Sequence, residues 1–342
     1  MFDLSHDPDL IDNLVGSFAS YLYGCKKEKY SILNYIVGGS SEPIHVLMVG
    51  DPGTGKTALL NETMKYTTTQ DTQSYCVVDR FDSMRRSRQA LVLDKTQTNS
   101  THVMVACRPL FGHYSVYRPP VENINIPRGS LGFFDISFIL RDIPDKQRDT
   151  KIAQAIMWGN HESEAGIPSQ LLHSYLIYAR NLKPILTEEA KQLLFEHYLE
   201  LRSSHDDNIV PLSPTQLKSL IKLTEASAKL HLREKAWAED AQKAIRILTW
   251  SLEQLGVDPV TRSYDVDMLF TGRPSVLNGK LIQVIEAFGE LENNDPDVRE
   301  ADLYVVLYER YGMNKRTVSN LLRTLVMENI IRPTTPGVYR RT

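Results

Sequence analysis

Residues 44–60 read IHVLMVGDPGTGKTALL, an apolar run that leads through a glycine-rich loop into a helical pattern. IHVLMVG is a short continuous apolar run with β-branched residues, the mark of a parallel strand buried on both faces. Gly50-Asp51-Pro52-Gly53-Thr54-Gly55-Lys56-Thr57 then satisfies G-x-x-x-x-G-K-T, and ALLNETMKY (58–66) has helical spacing. In a strand, glycine loop, helix context the glycines let backbone N–H groups turn inward on phosphates, and the helix N-terminus adds positive potential. Lys56 is placed to reach the β/γ oxygens and the Thr57 hydroxyl to ligate Mg²⁺. The loop from Gly50 to Ala58 is therefore the expected cofactor site, for ATP or ADP with Mg²⁺.

Outward from the loop, strand-like runs recur at YCVVD (75–79), HVMVACR (102–108) and ISFILRD (136–142), separated by polar or helical pieces. That alternation predicts an α/β fold with a parallel sheet. Upstream, DPDLIDNLVGSFASYLYG (7–24) and KKEKYSILNYIVGG (26–39) have helical apolar spacing, with Gly24 and Gly38-Gly39 as stops. From Ile185 the pattern is helical only. Thr187 is placed to cap 188–202, and Ser213-Pro214-Thr215-Gln216 forms a capping box with proline at the first helical position. A third helix runs over 238–255 and ends at Gly256. The turn-rich stretch 256–275 reads as a linker. Beyond it come helices, a turn at Gly312 and two extended arms around Pro336-Gly337, a winged-helix pattern. The expected domains are thus a core over 1–184, a helical lid over 185–256, a linker over 257–275 and a winged helix over 276–342.

The 342 residues carry a net charge of −3, with 42% hydrophobic and 24% charged residues, the composition of an ordinary globular protein. That charge argues against a globally basic nucleic-acid binder. From Arg310 onward, however, seven basic residues face only Glu328. Asn314, Lys315, Arg316 and Thr317 fall at the start of the second helix of the helix-turn-helix, where DNA contacts are made, and Lys315, Arg316, Arg323 and Arg340 are the candidate DNA residues. The alternative is that Leu321, Leu322, Leu325 and Ile330 simply pack a small domain whose basic face is solvated or binds protein. No apolar run is long enough to span a bilayer, and the start has neither basic nor apolar signal segment, so no membrane role and an intracellular place, cytoplasm, nucleoid or nucleus, are expected. Cys25, Cys76 and Cys107 lie far apart and read as buried thiols.

Asp79 ends an apolar run and is a candidate Mg²⁺ ligand, or else a strand-end cap. A hydrolytic site also needs a carboxylate to orient and deprotonate water. The next residue is Arg80, whose guanidinium cannot accept a proton. Asp82, two positions on, would need an unusual backbone path to replace it.

Together these residues resemble the minichromosome-maintenance helicases, ring-forming AAA+ ATPases that unwind DNA. GDPGTGKTALL is similar to that family's phosphate loop, VVDRFDSM to its second motif, VMVACRPLFGHYSVYRPPVENINIP to its third strand and following loop, and LGFFDISFILRDIPDKQRD, PLSPTQLKSLIKLTEASAKLHL and the tail continue the match in order. The resemblance implies an AAA+ P-loop core, a lid and a winged helix, with MCM-type subunits, other replication proteins and DNA as partners. It also implies lost catalysis. Arg80 stands where the family has its catalytic glutamate and Arg108 where an asparagine positions water. Phe133 aligns with an arginine finger, worth roughly 10³–10⁵ in rate, and Thr215 with a lid arginine; Arg128 is a possible substitute finger. Thr57 and Asp79 stand 22 positions apart, and Asp82 and Arg108 26, intervals into which the family inserts long DNA-gripping hairpins. The family's amino-terminal half has no counterpart in the sequence. The expectation is a nucleotide-binding accessory or regulatory protein of replication with little or no hydrolysis; the rivals are an active helicase with a rewired site and a nucleotide-switched initiator or loader.

Overall fold

The computed structural model describes residues 9–40, 42–67, 74–97, 101–115, 123–127, 130–158, 167–203, 214–255, 275–292, 295–327 and 330–341. The chain divides into two compact units, Met1–Gly272 and Arg273–Thr342.

The first unit is built on four parallel strands: β1 (His45–Gly50), β2 (Ser74–Val78), β3 (Thr101–Cys107) and β4 (Ile136–Leu140), in the order β2-β3-β1-β4. Every residue of β1 and β4 is buried, as expected for parallel strands covered on both faces. Successive side chains alternate between two cores. Val46 and Met48 of β1 join one apolar cluster with Met104, Ala106, Ile136 and Phe138, while Leu47 and Val49 join the other with Val103, Val105 and Ile139. The helices of the core are α1 (Leu10–Ser17), α2 (Lys26–Val37), α3 (Lys56–Thr67), α4 (Arg86–Asp94), α5 (Lys146–Trp158) and α6 (Ser169–Asn181). Helix α2 stops at Gly38, whose φ of +67° suits glycine and whose missing Cβ leaves room for the His102 ring; a Cβ there would stand 2.3 Å from Cε1.

The helix-only part follows as a two-stranded ladder, β5 (Ile185–Leu186) with β6 (Lys235–Ala236), and the helices α7 (Glu188–Ser203), α8 (Pro214–Leu230) and α9 (Ala238–Leu255). Thr187 caps α7 through its Oγ1, which accepts the Ala190 N–H at 3.3 Å. Ser213, the first residue of the expected capping box, lies outside the described residues, as do Arg128 and nearly all of the expected linker.

Polar anchors fix α8 to the core. Lys222 Nζ pairs with Asp135 at 2.5 Å, Ser219 Oγ donates to the same carboxylate, and His45 N donates to its other oxygen at 2.8 Å. Lys229 Nζ donates to the carbonyls of Val37, Gly39 and Arg180. Ser137 N donates to Ser251 Oγ of α9 at 2.7 Å, tying β4 to the same layer. Buried polar groups without partners are costly, and among the buried side chains of the described residues only Asn34 Oδ1 and Ser40 Oγ lack one.

Two buried histidines knit the start of β1 to β3. His102 Nδ1 accepts the Ile44 N–H at 3.1 Å, and His45 Nδ1 accepts the Val103 N–H at 3.3 Å. Burial lowers both, His45 to about 4 and His102 to about 3. The cysteines differ from expectation: Cys107 is buried, but Cys25 and Cys76 are only half-buried. Cys76 sits on β2, an edge of the sheet, and Cys25 lines a cleft described below.

The second unit contains α10 (Ser275–Glu292), β7 (Val298–Arg299), α11 (Glu300–Tyr311), α12 (Lys315–Met327), β8 (Ile331–Thr335) and β9 (Val338–Arg341), with an antiparallel sheet in the order β7-β9-β8. Gly312 ends α11 in the left-handed conformation. Val284, Phe288, Leu303, Leu307, Val318, Leu321, Leu322 and Leu325 form its core. No helix among the described residues is long and apolar enough to cross a membrane.

Candidate nucleotide site

The phosphate loop leaves β1 at Gly50, where a Cβ would stand 2.7 Å from the Leu140 carbonyl of β4, so only glycine fits. Asp51 is buried, and its carboxylate accepts two backbone N–H groups, Tyr114 at 2.7 Å and Asp142 at 2.9 Å. The loop is thereby held against the segments leaving β3 and β4. Past Pro52, Gly53 (φ +84°) and Gly55 (φ +89°) take the left-handed turns that bring the chain into α3. Thr54 Oγ1 and Lys56 Nζ both donate to the Asp51 carbonyl, at 2.8 and 2.6 Å. Lys56 is largely buried; burial, then the charge of Arg108, lowers its pKa. Thr57 Oγ1 donates to Asp79 Oδ2 at 2.7 Å, so the loop hydroxyl and the strand-end carboxylate meet. Ala58 follows in the first turn of α3, and its carbonyl accepts the Tyr21 hydroxyl at 3.2 Å.

After Asp79 the backbone turns sharply. Arg80 has φ +53°, its N–H bonds back to Asp79 Oδ1 at 2.7 Å, and a short 3-10 turn runs from Phe81 to Ser83. The fully buried Phe81 ring anchors this turn, with Gln89 Nε2 on the Phe81 carbonyl at 2.8 Å and Asn125 Nδ2 on the Asp82 carbonyl at 2.9 Å. The turn brings Asp82 beside the residue that follows β3. Asp82 Oδ1 accepts the Arg108 N–H at 2.9 Å and Asp82 Oδ2 the Ser83 hydroxyl at 3.0 Å. Among the described residues neither the Arg80 nor the Arg108 guanidinium pairs with Asp79 or Asp82, which leaves the Thr57–Asp79 pair intact.

Thr57, Asp79, Arg80, Asp82 and Arg108 thus gather with the loop at the C-terminal edge of the sheet. Phe133 and Thr215 do not. Phe133 lies on the turn that leads into β4, the opposite end of a strand paired in parallel with β1, and Thr215 shares a small cavity with Phe134 and Asp135 there. Phe133 is 40% exposed, so it faces outward and not into its own chain's loop.

Sequence reasoning missed the cleft beside the loop. About 620 Å³ in volume, it is bounded by Gly53–Gly55, by the Tyr21–Glu28 segment between α1 and α2, by Leu140–Asp142 after β4 and by one face of α5. Cys25 takes the left-handed conformation there, and burial pushes its thiol up to about 11. The signal was the tight Gly24-Cys25 turn between two helices; periodicity alone marked it as a stop.

The residues fit a nucleoside phosphate with Mg²⁺. Two oxygen donors of the kind a hard cation takes, Thr57 Oγ1 and Asp79, are already in contact. The bound cation would neutralise phosphate charge; Thr57 and Asp79 would hold it, and Lys56 and the loop N–H groups would hold the phosphates.

In the second unit Asn314 Oδ1 accepts the Thr317 N–H at 2.9 Å and its hydroxyl at 3.0 Å, so Asn314 caps α12. Arg340 is bidentate to Asp297 at 3.0 and 2.6 Å and holds that carboxyl below its usual range, while Arg310 is paired with Glu290. Arg340 is therefore committed within the protein. Lys315, Arg316, Arg323 and Arg332 are exposed and have no carboxylate partner among the described residues.

Both family models that match lie within the first unit. The family model described as the MCM P-loop domain matches residues 1–78 and 69–160, and the one described as the MCM AAA-lid domain matches 170–252. The Minichromosome maintenance protein MCM of Saccharolobus solfataricus is 28% identical over an alignment covering 99% of this chain and 59% of that protein. An uncharacterized MCM-type protein of Methanocaldococcus jannaschii is 26% identical, covering 97% and 58%. The DNA replication licensing factor MCM4 of Arabidopsis thaliana is 27% identical, covering 79% and 40%. The chain thus spans less than two thirds of the length of these relatives. The first alignment runs over 404 positions, more than the 342 residues available, so that relative carries segments with no counterpart here. With both family domains matched in order, around a phosphate loop closed by Thr57 and Asp79, the chain belongs to the minichromosome-maintenance (MCM) family.

Proposed function

We propose that the chain binds ATP or ADP with Mg²⁺ at the Gly50–Ala58 loop, hydrolyses it poorly or not at all, and acts in DNA replication as an accessory or regulatory partner of MCM-type subunits or other replication proteins. The observation that carries this reading is the residue after Asp79. Activating water requires a group that accepts its proton, and Arg80 offers a guanidinium in a left-handed turn. At the end of the neighbouring strand stands a second guanidinium, Arg108. Phe133 supplies no charge to a neighbouring chain's phosphate. The loop itself keeps residues suited to binding: Lys56 would hold terminal phosphate oxygens, and Thr57 with Asp79 would hold the cation.

The second unit reads as a winged helix, with α12 as the element that enters a DNA groove and β8–β9 as the wing. Lys315, Arg316 and Arg323 would contact phosphates from the first turns and exposed face of α12.

A second reading, an active ATPase with a rewired site, is favoured by Asp82, which the 3-10 turn returns to the site. Against it, both Asp82 oxygens already accept hydrogen bonds. Calorimetry with ATP and ADP, beside a phosphate-release assay with and without DNA, separates the readings. Lys56-dependent binding without release supports the proposal. Release that depends on Asp82 supports the rival, and absence of binding removes both.

A further inference from the structure

We propose that a second cavity of the first unit, enclosed by α1, α2 and α9, is a binding site for a small aromatic organic anion. No residue of the phosphate loop lines it, and its volume is about 480 Å³. Sites for small molecules run from ~300 to ~1,000 Å³.

The wall is apolar. Ile11 of α1, Tyr30 of α2 and Ile245, Ile247 and Trp250 of α9 form it. Ile11, Tyr30, Ile245 and Trp250 are half-buried side chains at the margin of the main core, so part of each packs inward while the rest lines the cavity. The Trp250 ring stacks on Phe138 of β4 at 6.0 Å between centroids, which holds it in one orientation. A flat apolar body laid against these rings and branched side chains takes both surfaces out of water.

The rim is cationic. Lys27, Lys243 and Arg246 stand around the cavity with one carboxylate, Glu253. Lys27 Nζ lies 5.7 Å from the centroid of the Trp250 ring, and Arg246 is exposed, its Nε on the Gln242 carbonyl of its own helix at 3.4 Å. Lys243 is positioned by a neutral partner. His231 Nδ1 donates to the Ser227 carbonyl at 2.7 Å, so its Nε2 is the acceptor for Lys243 Nζ at 2.9 Å. Burial lowers the His231 pKa, which keeps the ring neutral near pH 7. Asp240, the carboxylate beside that ring, is engaged by Ser227 Oγ at 2.9 Å, Trp237 N at 3.0 Å and Arg233 at 3.7 Å. One ammonium hydrogen of Lys243 therefore goes to His231, and the other two have no acceptor among the described residues. A surplus of positive charge over an apolar wall selects a ligand with an anionic head and an apolar body. The volume admits two or three rings, far less than the surface that a stable protein partner covers.

The test titrates the full chain with 8-anilinonaphthalene-1-sulfonate, an aromatic sulfonate whose emission rises in apolar surroundings, and with the uncharged N-phenyl-1-naphthylamine. The sulfonate is expected to saturate one site and to bind about tenfold or more tighter than the neutral probe, the scale of one charge-assisted contact. Arg246→Glu and Lys243→Gln should each weaken the sulfonate by about tenfold and leave the neutral probe within about twofold. Glutamine still donates to His231, and an unchanged unfolding midpoint verifies each variant's fold. Excess ADP with Mg²⁺ should not displace the probe. The inference is overturned by the absence of saturable binding, by equal affinities for the two probes, or by sulfonate binding that neither variant changes, as expected of a probe on the exposed Ile156, Met157 and Trp158 of α5. Displacement by ADP would put the probe in the cleft beside the phosphate loop and overturn it as well.

Discussion

Replacing His102 by asparagine should flatten the acid limb of the stability curve. His102 is 3% exposed, its ring stacks on Tyr75 at 4.8 Å between centroids, and its Nδ1 accepts the Ile44 N–H. Burial, reinforced by the positive charges of Lys229, Arg180 and Lys222 and by His45, lowers its pKa to about 3, against 6.5 for a free imidazole. Near neutral pH the ring is uncharged in both folded and unfolded chains. As the pH falls below 6.5 the unfolded chain takes up a proton that the folded chain refuses until about 3. Stability is therefore lost over this window, and the His102 contribution between pH 7 and pH 5 is about 2 kcal/mol. Asparagine leaves an amide oxygen to accept the Ile44 N–H and removes the titration. His102→Asn should be less stable at pH 7, because the stacked ring is gone, and the gap to wild type should narrow by about 2 kcal/mol at pH 5. Urea unfolding followed by tryptophan fluorescence reads the first unit alone, since all three tryptophans, Trp158, Trp237 and Trp250, belong to it. Parallel pH profiles for the two proteins would refute the reasoning.

The remaining predictions use the same measurements or simple binding. Lys222→Met strips the ammonium from buried Asp135 and should cost about 3 kcal/mol by urea unfolding, the low end for an orphaned buried charge because Ser219 and His45 N still donate. Gly38→Ala combines a left-handed φ with a Cβ 2.3 Å from His102 and should cost about 3 kcal/mol or more in the same assay, whereas a neutral effect would mean that α2 ends differently. If DNA is bound through α12, Arg316→Ala should lower the slope of log K against log salt by about 1, while Arg340→Ala, whose charge Asp297 already uses, should leave it unchanged. The reverse ranking would move the DNA face to the β8–β9 arm.

The sheet and the loop were legible because local rules and tertiary needs agree there. A buried parallel strand must be apolar throughout, so β1, β3 and β4 stand out as continuous runs; a phosphate loop must carry glycines at fixed places, so Gly50, Gly53 and Gly55 announce it. What escaped depends on backbone direction and distant partners. That Asp82 returns to the site follows from a positive φ at a non-glycine residue, Arg80, held by the burial of Phe81, and no period in the sequence encodes this. The cleft beside Gly53 is made by four segments separated in the sequence. Arg340 read as one more basic residue of the tail because its partner, Asp297, lies across a sheet that only folding assembles. Cys76 sat in an apolar run, yet its strand is an edge, and strand order is not written in composition.

A phosphate loop with Lys56, Thr57 and Asp79 in place, but with Arg80 where a base is needed, should hold nucleotide without consuming it. The most direct measurement mixes the chain in excess with labelled ATP and Mg²⁺ and follows the identity of the bound nucleotide over time. The account predicts that ATP is bound, that binding is lost in Lys56→Ala, and that the bound nucleotide stays ATP over hours, in wild type and in Arg80→Glu alike, because a restored carboxylate still faces Arg108 and lacks a neighbour's finger. Conversion of bound ATP to ADP at rates near ~1 s⁻¹, within the usual range of enzymes, would contradict it, as would the absence of any bound nucleotide.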